Sequence, residues 1–292
     1  MAYEMTVYNI NDRQIFVREE GEGNRRGVAL LIHGWSSSWF AMSPLMPLLR
    51  KRYRALAVDL PGYGQSPPCP GVVSIAWYAD LLADLLRATT DKPAVLIGHS
   101  MGGMISLTMA LRHPELVERV VLLCPTITGR LSLYINLFVS PVTFLERLPL
   151  ISRLVGLLEP SLVGITDRLM RPAAFSERGG MTAVDYEHIR ADVRNPAQGK
   201  VRAQCFTAMR EGDLRQQLQT IKAPGLVIWG MEDNTVPLRD ASILADEWPD
   251  ADLRILPRVS HWPQFEARDL TLRYITAFLS TPLKLLTVDW DE

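Results

Sequence analysis

The chain has 292 residues, with 31 Lys and Arg against 32 Asp and Glu, for a net charge of -1. That even balance removes the electrostatic case for a nucleic-acid partner and for a charged tail. Hydrophobic residues at 48% and charged residues at 22% exclude a disordered chain and leave ample material for a core. At ~150 residues per domain, the length suits two domains or one large α/β domain with an insertion. The three cysteines, Cys69, Cys124 and Cys205, are far apart and odd in number. They suggest neither a zinc site nor a disulfide framework, and a reducing, cytoplasmic location is expected. The N-terminus has no basic-then-apolar run, so no secretory signal is expected. The longest apolar stretch, Leu131–Leu145, is broken by Pro141 and falls short of the ~18–20 residues that span a bilayer.

Two β-type runs open the chain, Met5–Ile10 and Gln14–Arg18, with Asn11-Asp12 as the turn between them. Short, continuous apolar runs follow at Val28–Ile32, Ala55–Val58, Ala94–Ile97, Val120–Leu123, Leu226–Trp229 and Leu253–Leu256. Unbroken hydrophobicity of this kind suits parallel strands buried on both faces. Between them lie helix candidates at Ser43–Arg52, Ile75–Thr89, Met101–His113, Leu238–Trp248 and Asp269–Leu279. The alternation predicts an α/β fold with a mostly parallel, doubly wound sheet of eight strands. It fails between about 129 and 221, where helical patches and turn signals occur without a convincing strand. The chain therefore divides into 1–128 and 222–292, which form one core, and 129–221, a helical insertion. The end, Thr281–Glu292, reads as a loose tail that Trp290 could order.

The strongest chemical signal is Gly98-His99-Ser100-Met101-Gly102, set between a buried strand and a helix. A tight strand-to-helix turn lifts a serine hydroxyl clear of the sheet, beside a helix N-terminus whose amides favour developing negative charge. A hydroxyl needs a base. Of the five histidines, His261 is the best candidate, because it follows the strand ending at Leu256 and so lies at a C-terminal strand edge. His99 adjoins the serine and is expected to point away from it, His113 to cap its helix, and His188 to be solvated. Asp233 follows Leu226–Trp229 and is the candidate orienting acid, with Glu232 as its rival. Asp59, in Asp59-Leu60-Pro61-Gly62-Tyr63-Gly64, reads as a turn-stabilising residue. Oxyanion donors are expected at the backbone N–H of Met101 and of Trp35, in the loop after Val28–Ile32.

Taken together, these motifs resemble the α/β-hydrolase superfamily. The resemblance rests on His33-Gly34-Trp35, Asp59-x-Pro61-Gly62-x-Gly64-x-Ser66, Gly98-x-Ser100-x-Gly102-Gly103, Gly230-x-x-Asp233-x-x-Val236-Pro237 and Ser260-His261-Trp262-Pro263-x-x-Glu266. It implies a Ser100, Asp233, His261 triad in that chain order, and a helical cap for the insertion. It implies neither a cofactor nor a metal. The serine argues against the dehalogenase and epoxide-hydrolase branches, which use aspartate. The expected activity is hydrolysis of a small apolar ester by a serine esterase. The alternatives are a C–C hydrolase of ring-cleavage products, a perhydrolase or lactonase, and a non-catalytic, receptor-like binder. Phe138, Phe144 and Trp262 are expected to line the substrate pocket. The wider apolar stretch that includes Leu131, Leu133, Tyr134, Leu137 and Leu145 reads either as packing or as pocket wall.

Overall fold

A computed structural model describes residues 4–21, 26–133, 135–139, 175–176, 180–193, 195–248 and 250–286. Tyr134, Phe144, Leu145 and Trp290 lie outside the described residues, as does the side chain of Phe138. Eight strands form one sheet: β1 (Thr6–Ile10), β2 (Arg13–Glu20), β3 (Val28–Ile32), β4 (Arg54–Val58), β5 (Ala94–His99), β6 (Val117–Leu123), β7 (Gly225–Gly230) and β8 (Ala251–Leu256). Their order is β1-β2-β4-β3-β5-β6-β7-β8. The β1–β2 hairpin is antiparallel and joins β4 antiparallel, and all other pairs are parallel. The hairpin turns on Asn11 and Asp12, both at positive φ, where Asn and Asp are tolerated best after glycine.

The parallel strands sort their residues by the two-residue period of a strand. Leu30, Ile32, Leu56, Val58, Leu96, Val120, Leu122, Val227 and Trp229 belong to one core layer. Ala29, Leu31, Ala55, Ala57, Val95, Ile97, Val121, Leu123, Leu226 and Ile228 belong to the other. Helices α1 (Ile75–Thr89) and α2 (Met101–Arg112) cover the first layer; the helical turns of 39–49 and helix α6 (Arg268–Ser280) cover the second. Ser74 caps α1 by accepting from Trp77 N at 3.1 Å. At the other end of α2, Arg112 and His113 both bind Asp80 of α1, so His113 joins two helices as well as ending one.

Four expectations need correction. Ser43–Arg52 is not one helix. It is a 3-10 stretch at Trp39–Leu45 and a single turn at Met46–Leu49, because Pro44 and Pro47 carry no N–H to sustain longer pairing. Strand β6 starts three residues earlier than hydrophobicity suggests. Its Arg119 is buried because the guanidinium donates to Phe278 O at 2.8 Å and Thr281 O at 2.7 Å. Strand β8 is an edge strand with Arg254 and Ile255 exposed, so it is not buried on both faces. The apolar stretch after 130 is divided: Leu131 and Ile135 are buried, while Leu133 is 73% and Leu137 58% exposed.

Between β6 and β7 lie α3 (Ala183–Val193) and α4 (Gly199–Glu211). Helix α4 docks on the sheet domain, with Cys205 reaching the Tyr78 hydroxyl at 3.6 Å. Helix α5 (Arg239–Glu247) links β7 to β8. Among the described residues, no helix is long and apolar enough to cross a membrane.

The C-terminal ends of β3 and β4 are locked by two buried polar residues. His33 Nδ1 pairs with Gly34 O at 2.7 Å, and His33 Nε2 accepts from Leu60 N at 3.0 Å. Asp59 accepts from Trp39 N at 2.7 Å and Gln65 N at 2.9 Å, which is the turn-stabilising role expected of it. Its carboxylate fills the space a Cβ on Gly64 would need, and Gly64 sits at φ +54°.

Burial pushes His33 down to about 4, against the opposing bond to Gly34. Its folded value thus lies below the ordinary histidine value, so protons bind the unfolded chain first. The stability this confers is complete above about pH 6.5 and is lost as pH falls towards 4. Urea unfolding of the wild type should lose up to ~1.4 kcal/mol per pH unit from this residue within that window. His33→Gln, whose amide oxygen can still accept from Leu60 N, should show a shallower slope. Equal slopes would remove His33 as the cause.

Candidate active site

Strands β3 and β5 are neighbours whose following connections run to opposite sides of the sheet. Such a switch point opens a crevice at the carboxyl ends of the strands. The Ser100 turn stands there. Ser100 lies between β5 and α2 at φ 54°, ψ -116°, a conformation costing about 1–3 kcal/mol for a residue with a Cβ. Its amide donates to Leu123 O at 3.0 Å, and its carbonyl accepts from Thr126 N at 3.1 Å. Both bonds tie the turn to β6 and the residues after it. Two glycines allow the close approach. A Cβ on Gly98 would press into Gly102 O and Ser106 Oγ, and one on Gly102 would collide with the carbonyls of Ile32 and His33.

The loop after β3 packs on this turn, since a Cβ on Gly34 would lie 3.1 Å from Ser100 Cβ. Trp35 follows directly. Its indole Nε1 donates to Arg202 O at 2.8 Å, and its ring lies 5.6 Å from Phe206, so the side chain packs on α4. Met101 is the first residue of α2, where a backbone N–H has no partner within the helix.

Asp233 and His261 come together as expected: His261 Nδ1 and Asp233 Oδ2 are 2.8 Å apart. A carboxylate only accepts, so Nδ1 carries the proton. The other oxygen, Asp233 Oδ1, accepts from Thr235 N at 2.8 Å and Val236 N at 3.0 Å, which fixes the carboxylate plane. Glu232 is exposed and accepts instead from Ser176 Oγ at 2.8 Å. Of the two acids, Asp233 is the one that meets His261.

His99 points beneath the site. Its Nε2 lies 2.8 Å from His261 O, and its ring is 4.9 Å from His261 and 4.5 Å from Trp262. Burial drives it well below the usual histidine value, so the ring is neutral and donates through Nε2. Cys124, at φ 43°, is buried close by. The ligand-type atoms of Cys124, Asp233 and His261 lie within 4.8 Å of one another. Asp233 and His261 are committed to each other, however, and burial pushes the Cys124 thiol well up. That donor set suits a hydrogen-bonded pair beside a protonated thiol better than a cation.

Trp262 is 7% exposed and stacks on Phe175 with centroids 5.8 Å apart. The expected pocket residue therefore touches the segment between β6 and β7. His188, expected to be solvated, stacks on Phe40 at 3.7 Å and 11°. Its helix is held there by Ser38 Oγ, which donates to Asp192 Oδ2 at 2.5 Å. The composition of α3 gives no sign of this, because the stacking partner lies in the 3-10 stretch near residue 40. Glu266 belongs to the sequence motif around His261, and the structure gives it a set of partners that the motif does not indicate. It is 6% exposed and accepts from Ser260 N at 3.1 Å and Trp262 N at 2.9 Å. Its fixed spacing after His261 was the available signal.

The model of the alpha/beta hydrolase family matches residues 29–273. An uncharacterized hydrolase, YugF, of Bacillus subtilis is 32% identical over 87% of this chain and 90% of its own length. A 2-hydroxy-6-oxononadienedioate/2-hydroxy-6-oxononatrienedioate hydrolase of Burkholderia vietnamiensis is 27% identical over 95% of this chain and 94% of its own. A pimeloyl-[acyl-carrier protein] methyl ester esterase of Aeromonas hydrophila is 28% identical over 80% and 88%. The chain belongs to the alpha/beta hydrolase family and is a hydrolase of that fold.

Proposed function

We propose that this hydrolase cleaves small apolar carboxylic esters through an acyl-enzyme, with Ser100 as nucleophile, His261 as base and acid, and Asp233 orienting the imidazole. The observation that carries the reading is the 2.8 Å pairing of His261 Nδ1 with Asp233 Oδ2, beside a serine held on a strained turn. With Nδ1–H committed to Asp233, Nε2 is the nitrogen that takes the Ser100 proton as Oγ attacks the ester carbonyl. The amides of Met101 and Trp35 receive the negative charge on the carbonyl oxygen. The imidazolium then gives its proton to the leaving alcohol. Water, activated by the same nitrogen, releases the acid. Ser, His and Asp suffice for this acyl transfer without metal or cofactor.

In this reading, 129–221 is a helical cap over a core formed by 1–128 and 222–292. Phe138, Phe144 and Trp262 line the acyl pocket. The three unpaired thiols suit a reducing, cytoplasmic setting. C–C bond hydrolysis of a ring-cleavage product is the second reading. It is favoured by the similarity to the Burkholderia vietnamiensis hydrolase over nearly the whole chain. A screen of acyl esters, lactones and ring-cleavage products separates the two. Turnover of any simple ester eliminates a purely receptor-like role.

Ser100→Ala should abolish ester turnover, by about five orders of magnitude or more, with the fold intact. Retention of a tenth of the activity would overturn the nucleophile assignment. Asp233→Asn should cost roughly 10⁴-fold, since an amide favours the wrong tautomer of the ring, while Glu232→Gln stays close to wild type. The reverse order would reassign the acid. On p-nitrophenyl esters, kcat/KM should rise from acetate to a medium chain, by up to about fourfold per methylene, and fall once the pocket is full. Phe138→Ala or Phe144→Ala should move that optimum to longer acids. A profile that declines from acetate onward and ignores both substitutions would take these residues out of the pocket.

A further inference from the structure

Among the described residues, several buried charged side chains serve a turn or a helix end. Asp59 holds the turn after β4, Arg119 binds the end of α6, and Asp240 accepts from Thr128. Glu266 goes further, because its carboxylate gathers three backbone amides from two separate segments. Oε1 accepts from Trp262 N at 2.9 Å, and Oε2 accepts from Ser260 N at 3.1 Å. These two amides flank His261. Oε2 also accepts from Ser176 N at 2.8 Å, and Glu266 O accepts from Gly180 N at 2.8 Å. Ser176 and Gly180 belong to the segment between β6 and β7.

We propose that Glu266 is the positioning residue that fixes the His261 imidazole, and that the same carboxylate anchors the inserted segment at Ser176 to the loop carrying the base. The inference rests on His261 being the base. Three N–H donors converge on two oxygens that can only accept. Oriented amides hold the carboxylate, and the carboxylate in turn holds the backbone on both sides of one side chain. A glutamine cannot replace it, because its NH₂ group must face at least one of the three donors. Burial pushes the carboxyl up, while the bonds from Ser176, Trp262 and Ser260 and the nearby His261 pull it back. His99 adds a second hold on the same residue from beneath, at His261 O.

The test compares Glu266→Gln, Glu266→Asp, Ser100→Ala and wild type on p-nitrophenyl butyrate, with thermal melts and amide exchange followed by mass spectrometry. Glu266→Gln should lower kcat by tenfold or more while KM stays within about threefold, because a misaimed imidazole weakens the transition state and not substrate binding. Exchange at Ser260, Trp262 and Ser176 should accelerate at least tenfold, and the His261 Nδ1 proton resonance should broaden or vanish. Glu266→Asp keeps the charge but is one methylene too short to reach both segments, so its kcat should lie between the other two; it decides the matter if the Gln variant does not fold. A wild-type kcat in a folded Gln or Asp variant, with only the melting temperature lowered, would overturn the positioning role. Unchanged exchange at Ser176 would overturn the anchor to the inserted segment. No turnover by the wild type would defeat the ester-hydrolase reading itself, and turnover by Ser100→Ala its nucleophile; an inactive Ser100→Ala beside fully active Glu266 variants would defeat this inference alone.

Discussion

The hydrogen bond between Asp233 and His261 is made where water is nearly absent, with the residues 8% and 4% exposed. Two polar side chains can be buried together only if every remaining donor and acceptor finds a partner. The loops at the sheet edge are shaped by that demand. Asp233 spends one oxygen on its own loop amides and the other on the imidazole. His261 gives its carbonyl to His99, and its neighbours' amides go to Glu266. These bonds tie the two loops to each other and to the residues beneath them.

Two residues at the same edge carry backbone strain. Ser100 and Cys124 follow neighbouring strands, and both have positive φ. They hold their conformations because β5 and β6 bind each other and their loops: Ser100 N bonds Leu123 O, and Cys124 N bonds Ile228 O. A parallel sheet buried on both faces supplies the rigidity that such conformations need. The close fit of Gly98, Gly102 and Gly34 around the serine makes the turn a packed object. Its position is set by contact with the ends of β3 and β5.

Among the described residues, the segment between β6 and β7 meets the loops of the sheet domain through several aromatic rings and hydrogen bonds. Trp35 lies against Phe206, Phe40 against His188, and Trp262 against Phe175. Ser38 binds Asp192, and Ser176 binds both Glu232 and Glu266. Each pair joins this segment to a loop at the strand ends and none joins it to a strand. Among the described residues, these contacts bear on the candidate site, while Cys205 of α4 reaches Tyr78 of α1 on the sheet domain.

The sequence by itself determined whatever depends on near neighbours. Period-two and continuous apolar runs located all eight strands, and helical spacing located α1, α2, α5 and α6. The glycine pattern around Ser100 and the acid and histidine after the last two strands identified the candidate residues, because turn chemistry is local. Tertiary structure decided what depends on partners far along the chain. Arg119 lies in a buried strand only because α6 ends 159 residues later against it. His188 is half-buried because Phe40 faces it, and His99 supports His261 across 162 positions. Glu266 sits only a few residues from His261, yet its role required knowing where Ser176 N would fall, 90 residues away. A local pattern states which residues face inward, whereas the partner of a buried polar group is fixed only when distant segments close around it and leave no water to substitute.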